Sequence, residues 1–98
     1  MPITVITRYS GDPEAILQAA KVNAPLLLKH GATEARLLRI GTGGHFGQHV
    51  TVVTYNSYAD YEAVGAKLMQ DATYKNQMLA LGKAAVAEYR TIYSEIPY

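Results

Sequence analysis

Histidine is the residue type in this chain best suited to acid–base chemistry near neutral pH. The sequence has three histidines and no cysteine. Thiolate nucleophiles, thiolate metal sites and disulfides are therefore excluded. His49 lies within an apolar, β-branched run, where a neutral imidazole could act as general base toward an acidic phenol or an enolisable ketone. We name His49 as the candidate base, with Tyr55, Arg8 or Tyr93 stabilising an oxyanion or contacting substrate. The alternative is a histidine satisfied by hydrogen bonds at a strand rim or a dimer seam.

The other two histidines fit structural roles. His45 lies in a glycine-rich segment and is expected to be solvated, whereas His30 precedes Gly31 at an expected helix C-terminus, where an imidazole complements the helix dipole. The spacing of the three is not a metal-ligand motif, so no metal site is predicted. The run GTGGHFG, residues 41–47, does not match a phosphate loop, because its glycine spacing differs and a strand follows it.

Four segments alternate or are β-rich in the way that strands require. The predicted strands are Ile3 to Tyr9, Thr33 to Gly41, Gln48 to Asn56 and Glu88 to Ile96. The glycine-rich segment between the two middle strands predicts a hairpin with positive-φ positions.

Two helical regions separate these strands. The first begins at the Asp12 cap with Pro13 at its first position and ends near Gly31. Pro25 removes one backbone hydrogen bond, so a kink or a break is expected near Asn23. The second region begins at the Ser57 cap, breaks at Asp71, and restarts as a shorter helix to about Gly82.

The element order is β-α-β-β-α-β, which predicts an α+β, ferredoxin-like single domain over residues 1–98, with a four-stranded antiparallel sheet and the helices on one face. If the most apolar register faces the helices, the other face carries Arg8, Leu38, Tyr93 and, from the third strand, His49, Thr51, Val53 and Tyr55. We assign Thr51, Val53, Leu38 and Tyr93 to substrate binding. That face is too apolar for open solvent, so a partner sheet stacked on it, with a cavity between, is expected.

The run VVTYNSYADYEAVGAKLMQDATYKNQMLAL resembles the strand, turn and broken helix of the dimeric α+β barrel superfamily, which includes NIPSNAP-like, EthD-like, stress-responsive barrel and antibiotic-biosynthesis-monooxygenase-like proteins. The positions that carry the resemblance are Tyr55, Ser57, Tyr61, Asp71 and Tyr74. The resemblance implies a homodimer whose two sheets close a barrel, with a cleft between sheet and helices or between sheets. No cofactor is predicted from the residues. Because some members of the superfamily bind haem, the resemblance adds the alternative that His49 is the axial ligand of a haem.

Charge and hydropathy narrow the classes of partner. The formal net charge is +1 and no basic run is present, so nucleic acid and membrane surfaces are not expected partners. The N-terminus enters a strand directly, without the pattern of a signal peptide, and a cytoplasmic location is the expectation.

Three functional hypotheses follow from these observations. The first is a homodimeric barrel protein that binds a small apolar or aromatic molecule in its cleft. The second is a cofactor-free monooxygenase, cyclase or isomerase that uses His49 as base. The third is a structural or interaction module whose sheet face only makes a dimer.

Overall fold

The structure, a computed structural model, describes residues 1–98 and contains a four-stranded sheet with three helices. The strands are β1 (Ile3–Gly11), β2 (Glu34–Arg39), β3 (His49–Tyr55) and β4 (Ala85–Ser94), and the helices are α1 (Pro13–His30), α2 (Tyr58–Leu68) and α3 (Ala72–Gly82). The strand order is β2-β3-β1-β4 and every pair is antiparallel. The predicted ferredoxin-like α+β fold is confirmed, and α2 and α3 are the two pieces of the predicted broken helix. None of the helices is long and apolar enough to cross a bilayer.

Helix α1 begins and ends where its sequence signals place it. Asp12 Oδ1 accepts a hydrogen bond from the Glu14 amide at 3.0 Å, and Gly31 follows the last helical residue with φ of 130°. The predicted break near Asn23 is wrong, because the helix is continuous through Pro25. Pro25 is exposed, and buried or half-buried residues on both sides of it pack on the other helices and the sheet, which offsets one missing backbone bond.

The junction between α2 and α3 is fixed by capping. Ser57 Oγ caps α2 by accepting from the Asp60 amide at 3.1 Å, and Asp71 Oδ1 caps α3 by accepting from the Tyr74 amide at 3.1 Å. His30 Nε2 lies 3.5 Å from Asp71 Oδ2, so the end of α1 meets the same junction. The Tyr74 amide above all, and His30 beside it, hold the pKa of Asp71 below its ordinary value.

The side-chain alternation of β3 is opposite to the one expected. Its register against β1 pairs Val5 with Val53 and Thr7 with Thr51, and the odd-numbered residues of β1 are the ones buried under the helices. His49, Thr51, Val53 and Tyr55 therefore face the helices, not the second face. Both sets of β3 side chains are apolar enough for burial, so hydropathy could not choose between them.

The face turned away from the helices, called here the outer sheet face, carries a mixed apolar and aromatic surface. Exposed fractions there reach 43% for Leu38, 62% for Tyr89 and 55% for Tyr93. The face consists of the even-numbered residues of β1 and of the residues that lie opposite them, directly or through β3, on the neighbouring strands. These residues are Thr4, Ile6, Arg8, Arg36, Leu38, Val50, Val52, Thr54, Tyr89, Thr91 and Tyr93. The expected apolar second face is present, with the even-numbered residues of β3 in it.

The core on the helix side is divided into two small clusters. One gathers around Val64 of α2, which is 1% exposed, and the other around Ile16 of α1, which is 2% exposed. Only 15 of the 98 residues are buried, which is few for a chain that is 49% hydrophobic. Exposed apolar residues of the outer sheet face contribute to this low number, and space remains between the sheet and the helices.

Strand β1 continues past its predicted end at Tyr9, and β4 begins before its predicted start at Glu88 and ends before its predicted end at Ile96. The added residues of the two strands meet at a close approach. Gly11 pairs with Ala85 and has φ of +118°, and a Cβ atom built on it would lie 2.5 Å from the Ala84 carbonyl oxygen. Only glycine fits this position, because both the backbone conformation and the space exclude a side chain.

We expect Gly11→Ala to lower the free energy of unfolding by about 2 kcal/mol or more, since the substitution combines backbone strain with a collision against β4. The matched control is Gly43→Ala, which also has a positive φ, +88°, but no atom within 4 Å of the added Cβ, and should cost about 1 kcal/mol. Urea unfolding of both variants measures the difference. If both variants lose the same free energy of unfolding, the close approach of Gly11 to Ala84 does not contribute to the cost of Gly11→Ala.

Candidate ligand-binding cavity

A cavity of about 440 Å³ lies between the helix face of the sheet and the three helices. Of the 24 residues that line it, 17 are hydrophobic. Its floor is formed by β1, β2, β3 and β4, and its roof by α1, α2 and α3. The mostly apolar wall with few polar groups has the composition of a small-molecule site.

The polar part of the floor is a pair of residues on neighbouring strands. Thr7 of β1 is opposite Arg90 of β4, and Arg90 Nε donates to Thr7 Oγ1 at 3.0 Å. Thr7 is 3% exposed, so its hydroxyl is a buried partner that orients the guanidinium. Arg90 itself is exposed, which leaves its remaining N–H groups free for a ligand at the cavity wall.

Four tyrosines form the aromatic part of the wall: Tyr9, Tyr55, Tyr61 and Tyr74. The rings of Tyr55 and Tyr61 meet edge to face, with their centroids 5.2 Å apart, and Tyr74 lines the same cavity. Burial, with smaller contributions from Tyr61 and Tyr74, raises the pKa of Tyr55 to about 12. Burial also raises the pKa of Tyr74, while Arg90 opposes the shift in both residues. The phenols of Tyr55 and Tyr74 are therefore neutral hydrogen-bonding groups at physiological pH and not bases.

Asn23 is the polar group of the roof. It is 7% exposed and lies on the buried stripe of α1, and its Nδ2 donates to Met78 Sδ of α3 at 3.5 Å. Its Oδ1 is buried and has no hydrogen-bond partner. A buried acceptor without a partner lowers the stability of the folded state by about 1–3 kcal/mol. Helix packing alone therefore does not explain why an asparagine occupies this position.

The predicted site residues are divided by the sheet. Thr51, Val53 and Tyr55 line the cavity, whereas His49, on the same face, is not among the lining residues. Arg8, Leu38 and Tyr93 lie on the outer sheet face. The expected grouping of His49 and Tyr55 with Arg8 and Tyr93 is therefore wrong, because the sheet separates the two pairs.

Arg8 has its own surroundings on the outer sheet face. Its Cζ lies 5.9 Å from the centroid of the Tyr89 ring, which is a cation–π distance, and its Nε is buried without a hydrogen-bond partner.

Sequence reasoning missed Asn23, Thr7 and Arg90. Asn23 follows Ile16 and Ala19 at helical spacing, so a polar residue on an apolar stripe was the available signal. Strict alternation with Tyr89 and Tyr93 likewise places Arg90 under the helices. The Thr7–Arg90 pair itself needs the β1–β4 register, which the sequence does not contain.

The side chains present bear on both a metal site and a haem site. No three His, Asp or Glu side chains cluster as a metal site would require. His49 does not line the cavity, so its imidazole could not be the axial ligand of a haem bound there.

Comparison with solved structures finds the same fold in proteins of low sequence identity. SnoaB, a cofactor-independent oxygenase from Streptomyces nogalater, is 13% identical, with a TM-score of 0.75 over 99% of this chain and 95% of SnoaB. Rv0793 from Mycobacterium tuberculosis is 16% identical, with a TM-score of 0.72 over 100% of this chain and 98% of the other. An uncharacterized NIPSNAP-like domain protein from Burkholderia xenovorans is 14% identical, with a TM-score of 0.72 over 99% and 87%.

No protein-family model and no curated protein sequence matches the chain. The structural neighbours nevertheless include antibiotic-biosynthesis-monooxygenase-like proteins and a NIPSNAP-like protein, as the resemblance of residues 52–81 indicated. The chain shares the ferredoxin-like α+β fold of these proteins.

Proposed function

We propose that this protein binds a small apolar or aromatic molecule in the cavity between its sheet and its helices. The observation that carries the proposal is the cavity itself: about 440 Å³ of space in a domain of 98 residues, walled mainly by hydrophobic side chains. Volumes of this order are typical of sites for drug-sized ligands. An empty apolar space costs packing energy, so a ligand that fills it recovers contacts that the chain alone lacks.

Cofactor-free oxygenation is the second candidate function. The fold is shared with SnoaB, whose name describes a cofactor-independent oxygenase. In such chemistry a substrate that has lost a proton supplies the electrons that reduce O₂, so that a CH₂ group and O₂ give a carbonyl and water. The protein then needs to bind the substrate, accept a proton and stabilise an oxyanion.

The cavity offers groups for two of these tasks. The Arg90 guanidinium supplies positive charge to a phenolate or enolate oxygen, and neutral Tyr55 supplies a hydroxyl donor. Glu62 is the only carboxylate that lines the cavity, and no histidine lines it. Within this hypothesis Glu62 is therefore a better placed proton acceptor than His49.

We also propose that the protein is a homodimer formed through the outer sheet face. Leu38, Tyr89 and Tyr93 are each more than two-fifths exposed, and Ile6 and Val50 lie on the same surface. A contiguous apolar and aromatic surface on a small domain is typical of an interface. A second copy packed sheet to sheet would cover it.

Filling the cavity tests ligand binding. Gly65 lines the cavity and a Cβ atom there would meet nothing within 4 Å, so we expect Gly65→Phe to fold normally and to weaken 1-naphthol binding at least tenfold. Gly82→Phe is the matched control, because Gly82 is also helical and unobstructed but lies outside the cavity. Isothermal titration calorimetry measures both. Unchanged affinity in Gly65→Phe would place the ligand elsewhere.

Alkaline titration tests the burial of Tyr55. Its raised pKa means that the folded state holds the proton more tightly than the unfolded state. The resulting stabilisation is complete below pH 10 and is lost as the pH rises toward about 12. In absorbance at 295 nm, Tyr55→Phe should remove a component near pH 12, and Tyr98→Phe, at a fully exposed position, should leave it. A wild-type titration without that late component would contradict the burial.

Sedimentation tests the dimer. The wild type should sediment as a dimer at micromolar concentration, and Ile6→Lys should shift it to monomer, because the charge would be buried at the centre of the outer sheet face. Leu79→Lys, at a 68% exposed position on α3, is the control and should remain dimeric. A monomeric wild type would rule the interface out.

A further inference from the structure

Asn23 stands out among the buried polar groups of the molecule. Three side-chain atoms are buried without a hydrogen-bond partner: Arg8 Nε, Asn23 Oδ1 and Gln48 Oε1. Only Asn23 belongs to the wall of the cavity. Its unpaired atom is therefore in a position where a bound molecule could complete its hydrogen bonding.

The thioether of Met78 determines which end of the Asn23 amide has no hydrogen-bond partner. Asn23 Nδ2 lies 3.5 Å from Met78 Sδ, and a thioether sulfur accepts hydrogen bonds but cannot donate them. The NH₂ group must face the sulfur. The oxygen is left as an acceptor without a donor.

No other side chain at the cavity wall holds a buried acceptor without a partner. Arg36 and Arg90 carry only donors, and the Thr7 hydroxyl oxygen already accepts from Arg90 Nε. The Glu62 carboxylate is an acceptor, but Glu62 is exposed, so water can satisfy it. In the roof, the neighbours of Asn23 along the buried stripe of α1 are Ala19 and Leu27, which are apolar. A ligand donor that reaches the roof near α1 therefore meets Asn23 Oδ1 as its acceptor.

We propose that Asn23 Oδ1 determines ligand specificity, by accepting a hydrogen bond from an O–H or N–H group of an otherwise apolar molecule. The proposal rests on the proposed function of the cavity. It adds a selection rule: the cavity prefers a hydroxylated or aminated aromatic ring to the same ring with its donor methylated. A ligand without a donor leaves the oxygen unpaired.

The test compares two ligands and two variants. We expect the wild type to bind 1-naphthol about tenfold more tightly than 1-methoxynaphthalene, a difference of about 1.4 kcal/mol. In Asn23→Leu, which keeps the approximate volume, the two affinities should become equal within about twofold, mainly through weaker naphthol binding. Asn23→Met is the second variant, in case the leucine is poorly accommodated. The control is Asn76→Leu on the exposed side of α3, which should keep the tenfold preference.

The ratio of the two affinities is the informative measurement, because a purely structural role for Asn23 would change both affinities together. A preference for naphthol that survives in both variants would overturn the role of Asn23 while leaving the cavity as a binding site. Equal binding of both ligands by the wild type would do the same. Binding of neither ligand by the wild type would overturn both the selection rule and the proposed function.

Discussion

The register of β1 against β3 is the constraint on which the rest of the structure depends. With Val5 opposite Val53 and Thr7 opposite Thr51, the odd-numbered side chains of both strands lie under the helices. A slip of one residue in β3 would move Tyr55 and Thr51 to the outer sheet face and replace the cavity floor. The pairing of β1 with β4 then brings Arg90 beside Thr7, so one central strand positions the groups contributed by both of its neighbours.

Much of the fold could be predicted because its signals are local. The caps at Asp12, Ser57 and Asp71 each satisfy amide groups within three residues, and the glycine-rich hairpin takes positive φ at Gly43 and Gly47. Pairing is not local. The two faces of β3 have similar hydropathy, and the choice between them depends on strands that are distant along the chain.

The site was predicted less well than the fold for the same reason. The sequence pattern predicts Thr51, Val53 and Tyr55 as site residues but assigns them to the opposite face of the sheet. Polar groups of the cavity also come from α1, β1 and β4. Histidine attracts attention because its ordinary pKa lies near neutrality, yet His49 lies outside the cavity wall. The polar groups at the cavity wall include instead the Arg90 guanidinium, the Asn23 amide and the phenols of Tyr55 and Tyr74, whose pKa values are raised by burial.

The unfilled interior also affects how this chain can change over time. In a close-packed core, a larger side chain collides with its neighbours, and most exchanges of size are selected against. A side chain that borders a void can grow or shrink without such a collision, so mutations there alter the shape offered to a ligand while the strands and caps stay in place. A scaffold of this kind can diverge in sequence and acquire new binding preferences at little risk to folding.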